Sequence, residues 1–319
     1  MRVEVRAQAR LHFGFFDPSG DRGRRFGGMG LSIAAPRYVL RLEPSAALDV
    51  QGAEADRVEI LAARFLERLE LPLRGRIRVV ESIPAHVGLG SGTQLALALA
   101  AGLGRLHGLD LPLADLCVLM GRARRSGVGF HLFERGGLVV EGGHPAGDRP
   151  VPAPPPLLAR QEFPGSWRIV VAIPAANETV SGEAEDEAFR RLRPAAGETV
   201  DGISRILLMR LLPSLAERDL PAFGAALSEI QEMVGACFAA VQDGPFHPAG
   251  AALVRRLKEE RACGVGQSSW GPAVYALAAD EAEERRLVTI VRAADPLAEV
   301  LLTRGWNAGA SVEVERPDG

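Results

Sequence analysis

The segment Pro84-Ala85-His86-Val87-Gly88-Leu89-Gly90-Ser91-Gly92-Thr93 constrains this chain more than any other. It follows Arg76 to Ile83, a run rich in β-branched residues that predicts a strand, and precedes an apolar stretch, Thr93 to about Leu106, that predicts a helix. Glycines let the backbone approach an anion closely, and the helix start adds unpaired N–H groups and the positive end of a dipole. Ser91 and Thr93 can cap the helix and also reach phosphate oxygens. His86 lies inside the loop and is expected near a ligand. A bare strand-to-helix turn would bind nothing, but the ordered Pro-x3-Gly-Leu-Gly-Ser pattern is more specific than a turn requires.

Other phosphate-binding solutions are closed to this chain. Lys258 is its only lysine, so a Walker loop, which needs Gly-Lys-Ser/Thr, is excluded. Lys258 also sits in an Arg/Glu-rich amphipathic run, Leu253 to Arg261, which argues against a Schiff base and hence against pyridoxal phosphate. The formal net charge of −3 gives no global basic field for nucleic acid. No stretch offers the ~20 apolar residues of a membrane span, and Met1 to Arg10 lacks a signal-peptide core, so a cytoplasmic location is expected. Cys117, Cys237 and Cys263 are scattered, with neither zinc-ligand nor disulfide spacing.

With 319 residues, the chain is long enough for two domains. The prolines at 150, 152, 154, 155 and 156, within Pro145 to Pro164, mark the division, giving domains over 1–150 and 165–319. Before them, Val3 to Phe16 reads as a strand, Arg57 to Leu69 and Leu113 to Arg125 as helices, and Gly136 to Gly143 as a short strand. After them, Arg168 to Ile173 opens a strand, and helical patterns run to Gln242 with breaks at Pro213 and Pro221. Val265 to Ala278 combines a glycine-rich turn with a strand, Glu281 to Ala293 is helical, and a strand begins at Val300. Glu183 to Glu187 reads as a solvated acidic face.

The glycine loop resembles the phosphate loop of the GHMP-kinase superfamily, and Gly264-Val265-Gly266-Gln267-Ser268-Ser269-Trp270-Gly271-Pro272 stands where that family carries its C-terminal motif. The resemblance implies an α+β fold, with an N-terminal domain like the second domain of ribosomal protein S5 and a ferredoxin-like C-terminal domain. Many such kinases have an acidic group in a Ser-Gly-x-Asp segment. Here the matching stretch is Ser126-Gly127-Val128-Gly129, and Gly129 replaces that Asp. The loop reads Gly-Ser-Gly-Thr where Gly-Ser-Ser-Ala is usual, so Gly92 replaces a serine that often ligates magnesium, leaving Thr93 as the candidate metal ligand.

Three segments narrow the resemblance: Arg10-Leu11-His12-Phe13-Gly14-Phe15-Phe16-Asp17, Gly23-Arg24-Arg25-Phe26-Gly27-Gly28-Met29-Gly30 and Gly266 to Pro272. They are similar to the β-ribofuranosylaminobenzene 5′-phosphate synthases of methanopterin biosynthesis. That implies condensation of phosphoribosyl pyrophosphate with 4-aminobenzoate or 4-hydroxybenzoate, releasing carbon dioxide and pyrophosphate, in a homodimer using Mg2+. On this reading Arg10, Arg22, Arg24 and Arg25 gather around one loop, where their forked guanidinium groups suit phosphate. Asp17 and Arg25 are expected at the reacting bond, Asp17 against positive charge at the ribosyl carbon. His12, Gly88, Leu89, Gly90, Ser91, Gly92, Thr93, Ser126, Gly127, Ser268, Ser269 and Trp270 are expected to contact substrate, with Phe13, Phe15, Phe16 and Trp270 as an apolar wall for the ring.

For His12 and Trp270, ligand contact and a plain structural role stay open. Two other functions also stay open: an ATP-dependent small-molecule kinase of the superfamily, and a non-catalytic ligand-binding relative. Convergence of Asp17, Arg24, Arg25 and Ser91 on one cleft would favour the synthase, and separation the non-catalytic relative.

Overall fold

A computed structural model describes residues 1–18, 20–147, 153–175, 187, 191–192 and 197–315. Of the acidic run expected over 183–187, only Glu187 falls within the described residues, and it is exposed. Apolar alternation at Val3, Val5 and Ala7 starts a long strand, β1 (Arg2–Asp17), which turns back into β2 (Arg24–Glu43) as an antiparallel hairpin. From Ala7 onward the alternation fades because β1 becomes buried on nearly every side. β3 (Leu48–Gly52), α1 (Ala55–Arg68) and β4 (Gly75–Glu81) form a parallel crossover unit. Then come α2 (Ser91–Leu106), α3 (Leu113–Leu119), α4 (Val128–Arg135), β5 (Leu138–Glu141), β6 (His144–Pro145) and β7 (Leu157–Gln161). β7 follows the prolines and, among the described residues, pairs with β5; Pro154, Pro155 and Pro156 lie outside any strand.

The second half runs through β8 (Arg168–Ile173), α5 (Gly197–Ile206), a π-helical turn (Leu207–Leu211), α6 (Leu212–Glu217), α7 (Leu220–Gln242) and α8 (Pro248–Glu259). It ends with β9 (Cys263–Gln267), β10 (Val274–Ala278), α9 (Glu281–Ala294), β11 (Glu299–Arg304) and β12 (Ser311–Glu315). The antiparallel order β11-β8-β10-β9 is that of a ferredoxin-like sheet. In β8, Ile169, Val171 and Ile173 join the main core while Val170 and Ala172 face a second core with α8 and α9, so both faces of the sheet are covered. The first sheet runs β12-β1-β2-β4-β3, with β12 returning to pair with β1. This is the expected α+β arrangement of an S5-like and a ferredoxin-like domain. Among the described residues no helix is long and apolar enough to cross a membrane.

Three local expectations are corrected. The helix expected over Leu113 to Arg125 stops at Leu119, because Gly121 takes a left-handed conformation (φ 66°) and closes it with bonds from Gly121 N–H to Val118 O and Arg122 N–H to Cys117 O, both 2.9 Å. Pro213 does not break its helix; the preceding π turn loosens the backbone where the ring has to fit. Arg24 to Gly30, read as a loop, is strand β2. Its glycines admit close neighbours: a Cβ on Gly30 would lie 2.5 Å from Leu11 O and 2.6 Å from Val128 Cγ1.

The two domains lock where the β9–β10 loop meets β1 and the glycine loop. Ser268, fully buried, accepts the His12 backbone N–H at 3.0 Å and donates to Gly88 O at 2.7 Å through one hydroxyl. Ser269 N–H donates to His12 O at 3.0 Å, and Gln231 Nε2 on α7 donates to Phe13 O at 2.6 Å. A Cβ on Gly271 would lie 2.2 Å from Gly88 N and from the Val87 carbonyl carbon. Gly271→Ala is therefore expected to destabilise the protein by about 1–3 kcal/mol, read as a lowered midpoint in denaturant unfolding; an unchanged midpoint would show that the junction has slack.

Candidate active site

One cleft of about 500 Å³ opens at this junction. β1 supplies Arg10, His12 and Phe15; the glycine loop and first turn of α2 supply His86, Gly88 and 90–93; the β9–β10 loop supplies 269–271. Arg57 of α1 and the α3–α4 connection over 121–126 complete the lining.

The electrostatics of this lining are one-sided. Arg10, Arg57, Arg122, Arg124 and Arg125 all border the cleft, and among the described residues no carboxylate does. Arg10 Nη1 donates to Gly88 O at 2.5 Å. Arg57 is held by Glu54 at 2.5 Å, and Glu54 also accepts the Tyr38 hydroxyl at 2.7 Å. Arg122 has a buried Nε without a hydrogen-bond partner among the described residues. Burial, and then repulsion from Arg57, lower the pKa of Arg122. A polyanion would relieve that repulsion and supply the missing acceptors.

The three loop glycines have separate reasons. A Cβ on Gly88 would strike Ser268 O at 2.2 Å, so that glycine serves domain docking. A Cβ on Gly90 (φ 80°) would meet Arg10 Cγ at 2.8 Å. Gly92 points at two further cations, its Cβ position lying 3.2 Å from Arg57 Nη2 and 3.6 Å from Arg122 Nη1. At Gly129, where a kinase would carry its acid, a Cβ would sit 3.0 Å from Thr93 Cγ2. Thr93 occupies that space.

Behind the cleft lies a hydrogen-bonded chain. His12 Nδ1 accepts Gly14 N–H at 3.1 Å, so the neutral ring carries its proton on Nε2 and donates to Ser126 Oγ at 2.9 Å. Burial, and secondarily Arg10, hold His12 well below its ordinary pKa. Ser126 Oγ also accepts Val128 N–H at 3.2 Å, and Glu141 stands behind the next residue, Gly127. Glu141 is fully buried and accepts Gly143 N–H at 2.6 Å and Gly127 N–H at 3.3 Å. Burial pushes its pKa up to about 7 against these lowering contacts.

The other expected residues are placed elsewhere. Asp17 accepts Gly20 N–H at 3.1 Å in the β1–β2 turn. Arg24 donates to Gly142 O at 2.7 Å and Gly143 O at 2.5 Å, fastening the turn after β5, and Arg25 lies 5.1 Å over the Phe26 ring. Arg22 is exposed, 3.6 Å from Asp201. None of these four lines the cleft, so the expected convergence of Asp17, Arg24 and Arg25 with Ser91 does not occur and that ground for the synthase is lost; Leu89, Gly127 and Ser268, all buried, are off the lining too. Phe13 is core, packed on Tyr275, and Phe16 is off the lining, while Phe15 and Trp270 border both the cleft and a neighbouring apolar recess of about 40 Å³. That recess is smaller than the ~150 Å³ that admits a benzene ring. The residues missed by sequence reasoning are Arg57, Arg122, Arg124 and Glu141. The Arg122-Ala123-Arg124-Arg125 cluster after a potential C-terminal glycine was the available signal. His144 fixes the cluster by donating to Ala123 O at 2.7 Å.

The donor set does not fit a magnesium ion held by protein. Thr93, Ser91 and Ser126 offer neutral hydroxyls amid arginines, whereas a hard divalent cation takes carboxylates. Among the described residues no group of three or more His, Cys, Asp or Glu is placed around a metal position. Lys258 is ion-paired with Glu232 at 2.7 Å and does not line the cleft.

An S5-like domain joined to a ferredoxin-like one, with a glycine loop at their junction, is the architecture of the GHMP kinases. The model of the GHMP kinases N terminal domain matches residues 57–133, and that of GHMP kinases C terminal matches 211–296. The chain is similar to a homoserine kinase structure from Cytophaga hutchinsonii, at 16% identity and TM-score 0.62, covering 98% of this chain and 97% of that one. It is more closely similar to the beta-ribofuranosylphenol 5′-phosphate synthases of Archaeoglobus fulgidus, 34% identical over 98% of this chain and 100% of the relative, and Methanothermobacter thermautotrophicus, 33% identical over 96% and 97%. The chain belongs to this synthase family within the GHMP superfamily.

Inorganic pyrophosphate is expected to bind this cleft, and Arg122→Met to weaken it about 10–100-fold, the value of a charge-assisted contact of ~1.5–3 kcal/mol. Calorimetric titration checks this; equal affinity in both proteins would place the anion elsewhere.

Proposed function

We propose that the chain joins the ribosyl carbon of phosphoribosyl pyrophosphate to the carboxylate-bearing ring carbon of a 4-substituted benzoate, as a pentosyltransferase that also decarboxylates. The observation that carries this reading is the cleft itself, which among the described residues is lined by five arginines and no carboxylate, with Phe15 and Trp270 at one border. The donor's phosphates take the guanidinium groups and the start of α2. The acceptor ring lies against Phe15 and Trp270 at the mouth of the apolar recess. The archaeal relatives are named for a ribofuranosylphenol product. 4-Hydroxybenzoate is the acceptor that leaves a phenol, so it stands ahead of 4-aminobenzoate.

The chemistry suits such a lining. Electron release from the para substituent makes the ring carbon bearing the carboxylate nucleophilic; it bonds to the ribosyl carbon as the bond to pyrophosphate breaks. The carbon–carboxylate bond then breaks, its electron pair restores aromaticity, and carbon dioxide leaves. That ring carbon bears no proton, so no base is needed there, and the ring is its own electron sink. Arginines hold the charge that develops on departing pyrophosphate. Any Mg2+ arriving on the pyrophosphate belongs to the substrate.

Purified protein given phosphoribosyl pyrophosphate and carboxyl-labelled 4-hydroxybenzoate is expected to release labelled carbon dioxide only when both are present. ATP with homoserine, mevalonate or galactose should yield no acceptor-dependent ADP, since Gly129 supplies no acid. Acceptor-dependent ADP without carbon dioxide release would replace this reading with a kinase.

A further inference from the structure

Glu54 departs from local preference in two ways. It stands at the start of α1 in a left-handed conformation (φ 57°), which is costly for a residue with a Cβ, and its carboxylate caps none of the helix N–H groups. Instead it reaches away from the helix end: one oxygen accepts the Tyr38 hydroxyl at 2.7 Å and the other accepts Arg57 Nη1 at 2.5 Å. Tyr38 is fully buried on β2, and burial, then Glu54, raise its pKa, so the hydroxyl keeps its proton and donates. We propose that Glu54 is a positioning residue that presents Arg57, beside Arg122, to the pyrophosphate end of the donor. This rests on the proposed condensation and gives its leaving group a place in the cleft.

The two guanidinium groups converge. With Nη1 taken by Glu54, Arg57 Nη2 lies 3.2 Å from the Cβ position of Gly92 in the first turn of α2, and Arg122 Nη1 lies 3.6 Å from the same point. Like charges at this range repel, and a long side chain gains rotamer freedom by turning out to solvent. Arg57 therefore needs a tether to stay beside Arg122. The pair it makes is not an ordinary surface one: the Glu54 and Arg57 side chains are only 20% and 28% exposed, and Tyr38 fixes the carboxylate from its buried side. Arg122 keeps a buried Nε without a partner among the described residues, so the seat still lacks an acceptor. Glu54 itself is off the lining. It orients a cation without placing a negative charge where phosphate would lie.

Charge favours the pyrophosphate end over the 5′-phosphate. Pyrophosphate carries more negative charge and gains more as its bond to the ribosyl carbon breaks, so two fixed forks stabilise it most in the transition state. Two plainer roles for Glu54 make different demands. A carboxylate that merely offset the charge of the cleft would weaken anion binding. One that merely anchored Tyr38 would act on stability, and not through Arg57.

Calorimetric titration with inorganic pyrophosphate separates these roles. Glu54→Gln is expected to weaken binding about tenfold, within the worth of one charge-assisted contact, although it removes a negative charge near the cleft. In an Arg57→Met background the same change should weaken binding no further. Tighter or unchanged binding in Glu54→Gln, or an equal loss with and without Arg57, would overturn the role. In turnover of phosphoribosyl pyrophosphate, Glu54→Gln should lower kcat together with kcat/KM, because the charge that Arg57 meets develops as pyrophosphate leaves. A raised KM for the donor at unchanged kcat would put Arg57 on the 5′-phosphate and overturn the assignment. If Glu54→Gln does not fold by thermal melt, Tyr38→Phe, which releases the carboxylate from its buried side, replaces it in the same cycle. A smaller loss that depends on Arg57 then supports the role, and no loss overturns it. Absence of product from the natural protein removes the condensation reading itself, while the pyrophosphate titration still decides whether Glu54 positions Arg57.

Discussion

One buried hydroxyl bonds to both sides of the domain junction at which the cleft opens. Ser268 Oγ takes the backbone N–H of His12 and gives its proton to Gly88 O, so one atom ties the first strand, the phosphate-type loop and the C-terminal domain. Without it, the buried His12 N–H would be left unpaired, at about 1–3 kcal/mol, while Gly88 O would keep its bond from Arg10. The glycines at 88 and 271 are required by the same contact, since a Cβ on either would overlap the opposing backbone. The left-handed turn at Ser269 (φ 59°) then brings 269–271 to the cleft wall. Glycine spacing that resembles an anion cradle is thus, in part, a docking surface between domains.

The cations face the opposite constraint. Five arginines share one cleft, and the lowered pKa of Arg122 records the strain of burial and of its neighbour Arg57. Local compensation is partial: Glu54 holds Arg57, and Gly88 O holds Arg10. Repulsion of this kind costs stability, and a multiply charged anion would relieve it.

How much of this was legible depended on what each residue does. Arg168–Ile173 reads as a strand because its apolar run is buried on both faces, and Glu281–Ala294 follows helical periodicity because it packs one face. β2 was hidden because Gly27, Gly28 and Gly30 weaken every strand signal, although they are there to let His12, Glu141 and Val128 approach the backbone. Arg24 and Arg25 looked like anion ligands beside those glycines, yet one staples carbonyls and the other stacks on Phe26. Arg57 carries no local mark at all: it reads as one charge on an amphipathic helix, and only packing of α1 beside α2 brings it to the loop.

Glu141 was illegible for a related reason, being the last residue of an apolar strand with nothing local to suggest chemistry. Its position nevertheless bears on how one fold serves two reactions. In the kinase pattern the acid stands in the Ser-Gly-x-Asp segment itself; here Gly129 and Thr93 fill that place, and the buried carboxylate stands behind Gly127 of the same segment, whose N–H it accepts at 3.3 Å. An acid projecting into an arginine-lined cleft would neutralise positive charge there. One withdrawn behind the backbone leaves the field of the cleft largely positive and still holds the segment in place. Moving the carboxylate out of the lining thus leaves a surface suited to an anion where the kinase pattern has an acid.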